Sequence, residues 1–318
     1  MNGSASPSPI TQELLSSLCP PRDEAGHKGT FGRLLVYAGS TGMGGAAYMA
    51  ASSALRSGVG LVYLLTPSEL ILPLMTMCPE AIGISVPDSA CKTPSAHVVP
   101  LVARERLTPE NWIEKYLSDK DAVLLGPGIA TDRKDVRQQF SYIAENAKHL
   151  VLDAGALSIL SENEDLWRSL SSRRERGLDP AVLTPHIGEF KRLDPSWENG
   201  DMASAQAFAV KNEIVLVLKS HQTNIFTSDG KWYSNRESNS GLAKGGSGDV
   251  LSGLLAGFLA QGLDAEKSAA CAVGIHALAG RLCADEHGRR AMLPTMLWNY
   301  YDRCFQMLKW EEGMESDG

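Results

Sequence analysis

The clearest chemical signal is Gly241-Leu242-Ala243-Lys244-Gly245-Gly246-Ser247-Gly248-Asp249, followed by the apolar run Val250-Leu251-Ser252-Gly253-Leu254-Leu255. Glycines let a backbone turn tightly and approach a ligand closely. The apolar run predicts a helix starting near Ser247, and a helix start presents unpaired N–H groups and the positive end of its dipole. Phosphate, or a phosphoryl group in transfer, suits that place. Asp249, in the first turn, would accept the proton of a substrate hydroxyl. A flexible loop before an ordinary capped helix explains a bare GGxG equally well. The aspartate, the apolar helix and the hairpin signal upstream together favour the anion site.

Other loops carry weaker signals. Gly39-Ser40-Thr41-Gly42-Met43-Gly44-Gly45 follows one apolar run and precedes a helical one. Its spacing does not fit GxGxxG and no acidic residue ends the next strand, so it is not a dinucleotide fingerprint. Gly126-Pro127-Gly128, Asp153-Ala154-Gly155 and Thr184-Pro185-His186-Ile187-Gly188-Glu189 each end an apolar run. Ligands of open α/β sheets bind beyond the carboxyl ends of strands, so these loops point to one crevice. Taken alone, His186 is more often structural than catalytic. Lys219 ends another run; it either reaches a phosphate as a point charge or snorkels at the surface.

The elements that must hold these loops alternate. Short apolar runs at Leu34–Ala38, Leu61–Leu65, Ala81–Val86, Ala122–Leu125, Leu150–Ala154, Ala181–Leu183 and Ile214–Leu218 predict strands buried on both faces. Helical segments Ala46–Ser57, Asp135–Asn146, Glu162–Leu170 and Asp201–Asn212 lie between them. The alternation predicts a doubly wound, mostly parallel α/β fold. Asp229-Gly230 marks a hairpin between Thr223–Ser228 and Lys231–Asn235. Helices then follow at Val250–Ala260, Ala265–Ala284 and Leu293–Leu308. Asp88–Thr108 reads as a loop or excursion and Arg173–Asp179 as charged and exposed. Neither resembles a linker, so residues 1–318 are expected to form one domain.

Composition excludes some classes. The net charge is −7 over 318 residues, with no run of Lys or Arg, which argues against nucleic acid. No apolar run is long enough for a bilayer, and the polar start Met1–Pro9 is unlike a signal peptide. Six dispersed cysteines without a zinc-ligand pattern fit reduced thiols in the cytoplasm.

From about Ile10 to Tyr301 the chain resembles the nucleotide-dependent NAD(P)H-hydrate dehydratases, the catalytic domain of the family named after YjeF. The motifs are His27-Lys28-Gly29-Thr30-Phe31-Gly32-Arg33, Gly39-Ser40 through Gly45-Ala46, Gly126-Pro127-Gly128, Leu183 through Phe190, Leu218-Lys219 with Thr223, and Gly245 through Asp249. The resemblance implies a ribokinase-like three-layer α/β/α fold with helices on both faces of the sheet. It implies an enzyme that repairs NADHX and NADPHX with ADP or ATP as phosphoryl donor. Ala46, Gly128, His186 and Asp249 would contact the dinucleotide. Lys219, Ser220, His221, Gln222, Thr223 and Gly248 would contact the nucleotide. Gly246, Ser247 and Gly248 would stabilise phosphoryl charge together with Mg²⁺; no residue is assigned to the metal. Relatives also imply a homo-oligomer, a tetramer or larger, and a functional link to a separate NAD(P)HX epimerase.

The chain departs from the family at Gly155 and Ser158, where Asp and Asn are usual, and at Ser220, Lys244 and Ile187, where Gly, Thr and Pro are common. Lys244 is expected to put a positive charge beside the anion site. Two alternatives share the anion loop and the aspartate: a hydroxymethylpyrimidine or hydroxyethylthiazole kinase, and a catalytically weak nucleotide-binding regulator. His186, Gly188 and Glu189, with the His27–Arg33 segment, favour the dehydratase over the kinase, and the intact Asp249 disfavours the regulator.

Overall fold

The computed structural model describes residues 6–18, 20, 22–86 and 109–310. In chain order the first elements are β1 (Ser8–Pro9), α1 (Gln12–Ser16), β2 (Arg33–Tyr37), α2 (Gly44–Leu55), β3 (Leu61–Pro67), α3 (Ser68–Met77) and β4 (Ile82–Val86). Next come α4 (Pro109–Leu117), β5 (Ala122–Leu125), α5 (Lys134–Asn146), β6 (His149–Leu152), α6 (Gly155–Ser161), α7 (Glu164–Ser171), β7 (Val182–Leu183), α8 (Ile187–Leu193) and α9 (Met202–Lys211). The chain continues through β8 (Val215–Leu218), β9 (Asn224–Phe226), β10 (Trp232–Ser234), α10 (Ser247–Ala260), α11 (Ala265–Ala291) and α12 (Tyr301–Met307).

One ten-stranded sheet runs in the order β1-β10-β9-β8-β7-β6-β5-β2-β3-β4. Strands β2 to β8 pair in parallel, and β9 is antiparallel to both its neighbours. Val and Leu dominate β5, β6 and β8, which are buried along their whole length. The pleat sends alternate residues to opposite faces. Leu34 and Val36 join a core under α2, α10 and α11, whereas Leu35 and Tyr37 join a second core under α5, α6 and α9. The expected three layers are therefore present. No helix among the described residues is long and apolar enough to cross a membrane.

Small residues bring α10 close to α2. A Cβ on Gly253 would fall 2.2 Å from the carbonyl oxygen of Ala50. Ser53 Oγ donates to the carbonyl of Val250 at 2.6 Å and lies 2.9 Å from the Tyr301 hydroxyl. From Val250 to Ala260 every residue of α10 is buried. Its large apolar side chains contribute roughly 1.5–3 kcal/mol each, so packing holds the start of this helix in place.

Several sequence expectations need correction. Arg173 is fully buried, not exposed: its guanidinium donates to the carbonyls of Ala144, Ala147, Lys148 and Asp179 at 2.7–3.1 Å. Helices α1, α3, α4, α6 and α8 stand where no helix was expected; α1, with five residues, and α6 and α8, with seven each, are too short to show a helical period. The final segment is a 3₁₀ stretch, Pro294–Tyr300, before α12; Pro294 opens it, at a first position where no N–H is needed. Helix α11 extends to Ala291 with a break at Gly288. Residues 88–108, expected as an excursion, lie outside the described residues.

Candidate active site

The turn opening α10 has the form expected of an anion site. Gly246 caps the helix at φ +97°, a left-handed conformation that favours glycine. A Cβ there would also fall 2.4 Å from the sulfur of Met49 in α2. The amide of Ser247 donates to the carbonyl of Lys244 at 3.2 Å. Among the described residues no backbone carbonyl accepts from the amides of Gly246 and Gly248. Those two N–H groups remain for an anion, and Ser247 adds its hydroxyl.

Asp249 is the third residue of α10 and stands close to three charged side chains. Lys219, which follows β8, places Nζ 2.8 Å from Asp153 Oδ1, which follows β6. A Cβ on Gly248 would lie 3.0 Å from the same Nζ, so the ammonium reaches the base of the anion turn. Burial alone would push Lys219 down, yet Asp153 and then Glu189 and Asp249 outweigh it and raise its pKa. Lys219 stays charged, and the snorkelling alternative is excluded. Burial is also the largest influence on Asp249, with Asp153 and Glu189 adding to it and Lys219 opposing; the carboxyl is pushed up to about 7. A carboxyl poised there is suited to take a proton near neutral pH. Ala154, immediately after Asp153, is held at φ +48°, a strained conformation at the edge of the site.

A cavity of about 730 Å³ opens beside this array. Its wall includes His186, Lys219, Ser220, His221, Thr223, Lys244, Ser247 and Gly248. Gln222 does not line it; its amide closes a turn on Ser220 Oγ at 3.2 Å. Beyond Lys219, the wall runs along the β9–β10 hairpin side at Asn235 and Ser238 and along α11 at Val273, His276 and Ala277. His276 was not singled out in the sequence. A histidine inside an Ala-rich buried helix was the available signal.

The expected dinucleotide residues gather at neighbouring strand ends. Ser40 Oγ donates to the carbonyl of Gly128 at 2.7 Å. A Cβ on Gly128 would meet Ala46 Cβ at 3.0 Å. Met49, one turn beyond Ala46, touches Gly246 and joins this patch to the anion turn. His186 caps α8: its Nδ1 accepts from the amides of Gly188 and Glu189 at 2.9 and 3.2 Å, and Glu189 Oε2 accepts from the His186 amide at 2.8 Å. Nε2 therefore carries the ring proton, on a side chain 57% exposed. Among the described residues no group of three or more His, Cys, Asp or Glu is placed to hold a metal ion.

Residues 34–303 match the NAD(P)H-hydrate dehydratase family. The chain belongs to that family. It is 31% identical to the ADP-dependent (S)-NAD(P)H-hydrate dehydratase of Bacillus subtilis, over 93% of this chain and 97% of that one. It is 33% identical to the bifunctional NAD(P)H-hydrate repair enzyme Nnr of Moorella thermoacetica, over 95% of this chain and 54% of that protein. The chain thus spans about half the length of the bifunctional relatives it matches. The crystal structure of a Bacillus subtilis ADP/ATP-dependent NAD(P)H-hydrate dehydratase, co-crystallised with ATP and Mg²⁺, superposes with a TM-score of 0.76 at 28% identity, covering 96% of this chain and all of that one. A ribokinase-like protein of Enterococcus faecalis superposes at 0.74 with 26% identity over 95% of each chain. The fold is ribokinase-like.

Against the NAD(P)H-hydrate dehydratase pattern, the departures have local physical readings. A Cβ on Gly155 would fall 2.7 Å from Ile129 Cγ1, so any larger residue there would require Ile129 to shift. Ser220 Oγ donates to the Gln222 carbonyl at 2.6 Å and so closes its own turn. Ile187 is the first residue of α8, a position that proline suits equally. Lys244 is not aimed at the anion turn: its Nζ donates to the carbonyls of Arg290, at 2.7 Å, and Met292. The end of α11 absorbs the charge expected beside the phosphate. The His27–Arg33 segment leads into β2, at the amino ends of the strands. His27 Nδ1 accepts there from the amides of Gly29 and Thr30, which makes it a turn remote from Asp249.

Proposed function

We propose that this protein dehydrates NADHX and NADPHX to NADH and NADPH, using ADP or ATP as phosphoryl donor. The observation that carries the reading is Asp249, a carboxyl pushed up to about 7, in the first turn of a helix whose Gly246 and Gly248 amides have no backbone acceptor among the described residues. Asp249 takes the proton of the hydroxyl on the hydrated nicotinamide ring. That oxygen attacks the terminal phosphoryl group, and the bond to the leaving AMP or ADP breaks. Gly246, Gly248 and Lys219 hold the charge on the phosphoryl oxygens. The ring-nitrogen lone pair expels phosphate from the ring carbon, and loss of a proton from the adjacent carbon restores the double bond.

Mg²⁺ fits this site as a passenger of the nucleotide, because Mg²⁺ is typically held by substrate phosphates, waters and few carboxylates. Bound there, it would neutralise phosphate charge. The carboxylates within reach, Asp153 and Glu189, already accept from Lys219 and from the His186 amide. In the same reading the chain acts as one catalytic domain in the cytoplasm and as a homo-oligomer. It works together with an NAD(P)HX epimerase activity, in keeping with the bifunctional relatives. Ala46, Gly128 and His186 receive the dinucleotide, and Lys219, Ser220, His221 and Thr223 receive the nucleotide.

The deciding measurement is recovery of reduced-nicotinamide absorbance from NADHX with Mg²⁺ and either ADP or ATP. Nucleotide-dependent recovery is expected. Nucleotide binding with no recovery, and phosphorylation of a small hydroxylated substrate instead, would make the protein a kinase of the same fold.

A further inference from the structure

His276 lies in the buried part of α11 and is 8% exposed. It belongs to the cavity wall with Val273, Ala277 and Leu251 around it. Its Nε2 stands 3.1 Å from the carbonyl oxygen of Ser247 and 3.3 Å from the hydroxyl oxygen of the same residue. A carbonyl oxygen only accepts, so the shorter contact requires a proton on Nε2. The same N–H then faces a lone pair of Ser247 Oγ. The serine oxygen is an acceptor toward the histidine, and its own proton is left for a different partner. Among the described residues, Ser247 Oγ has no other hydrogen-bond partner. The amide of Ser247 is meanwhile consumed by Lys244.

We propose that His276 is a positioning residue for the phosphoryl-transfer turn. By donating from Nε2 to both oxygens of Ser247, it makes the serine hydroxyl present its proton to the anion held by Gly246 and Gly248. The inference rests on the nucleotide reading of this cavity. It goes beyond that reading in assigning the orientation of one hydroxyl to a residue of another helix. A neutral ring suits the task, since a second ring proton would add a charge without adding a donor toward Ser247. Burial pushes the ring down to about 4, the Ser247 carbonyl opposing and the Lys219 ammonium reinforcing the shift, so a single tautomer serves across the neutral range.

The first test needs no turnover. ¹⁵N resonances of the His276 ring in the intact protein are expected to show Nε2 protonated and Nδ1 bare near pH 7. A proton on Nδ1 overturns the proposal whether or not the protein is a dehydratase. The second test is a double-mutant cycle on nucleotide-dependent turnover, with ADP affinity measured alongside by calorimetry. Ser247→Ala and His276→Phe are each expected to lower kcat by about 10- to 100-fold. The double variant should be no worse than the poorer single, because both act through the same oriented hydroxyl. Multiplying losses would make His276 a mere packing residue. His276→Gln, which keeps an N–H donor, is expected to stay within about threefold of wild-type kcat; a Gln variant as slow as the Phe variant also overturns the proposal. If no turnover exists in the wild type, the cycle is read on ADP affinity, where the same non-additivity is expected. Failure of the dehydratase reading is thereby separated from failure of this one.

Discussion

Lys219 Nζ and Asp153 Oδ1 stand 2.8 Å apart beneath the first turn of α10, and Asp249 titrates in their joint field. Asp153 raises the pKa of Asp249 and Lys219 lowers it. The base form of Asp249 is needed for turnover, so kcat/KM is expected to rise with pH through about 7. Asp153→Asn removes a negative charge and leaves the Lys219 ammonium less neutralised. Both changes move that limb to lower pH. Lys219→Met moves it to higher pH. A pH–rate series on the three proteins checks the signs; shifts in the same direction would remove this pair from the control of Asp249.

Asp249→Asn is expected to cut kcat by roughly 10²–10⁴-fold, the usual contribution of a general base. Nucleotide affinity should stay within about threefold, since the amides of the anion turn are untouched. The same variant carries a stability signature. The folded pKa of Asp249 is raised from 3.8 to about 7, so folding favours the neutral form. That contribution is fully present below the unfolded value and lost as pH rises through about 7. Asn pays no such penalty, and the variant should unfold at a higher temperature than wild type at pH 8, the difference vanishing near pH 4. Thermal scans at the two pH values settle it.

Lys244→Thr restores the residue common in the family. Because Nζ is held by the carbonyls of Arg290 and Met292 at the end of α11, the loss should appear in folding. About 1 kcal/mol of stability is expected to go, while ADP affinity changes by less than about twofold. Denaturant unfolding and calorimetry together make the comparison. Affinity lost with stability retained would put the ammonium on the nucleotide, as the sequence first suggested.

Arg173→Ala leaves the buried carbonyls of Ala144 and Ala147, and the half-buried one of Lys148, without their donor. A loss of about 3 kcal/mol is expected. Turnover per folded molecule should not change, because β6 puts these carbonyls at its amino end and Asp153 at the other. A fall in kcat with unchanged unfolding would contradict that separation.

Much of the frame was legible because the strands are continuous apolar runs; Ala122–Leu125 and Val215–Leu218 fall where the sequence put them to within a residue. Asp249, Lys219 and the glycine turn were legible because their types and spacing carry local chemistry. Lys219 nevertheless left two readings open, since its partner Asp153 lies 66 residues away in sequence. Arg173 was misread for the same reason: its acceptors are backbone carbonyls, which no residue type announces. His276 was silent because its meaning depends on the register of α11 against α10. Lys244 misled because a positive charge next to a phosphate turn looks purposeful until its side chain is seen to run the other way.

Helix α10 carries the anion turn at one end and is buried from Val250 to Ala260. Segments of that kind open only when the whole fold opens. The amides of α10 from Leu251 onward should therefore be among the slowest to exchange with deuterium. The site then has no partly unfolded state of its own in which it could be lost first, and activity should disappear on heating along the same curve as the fold.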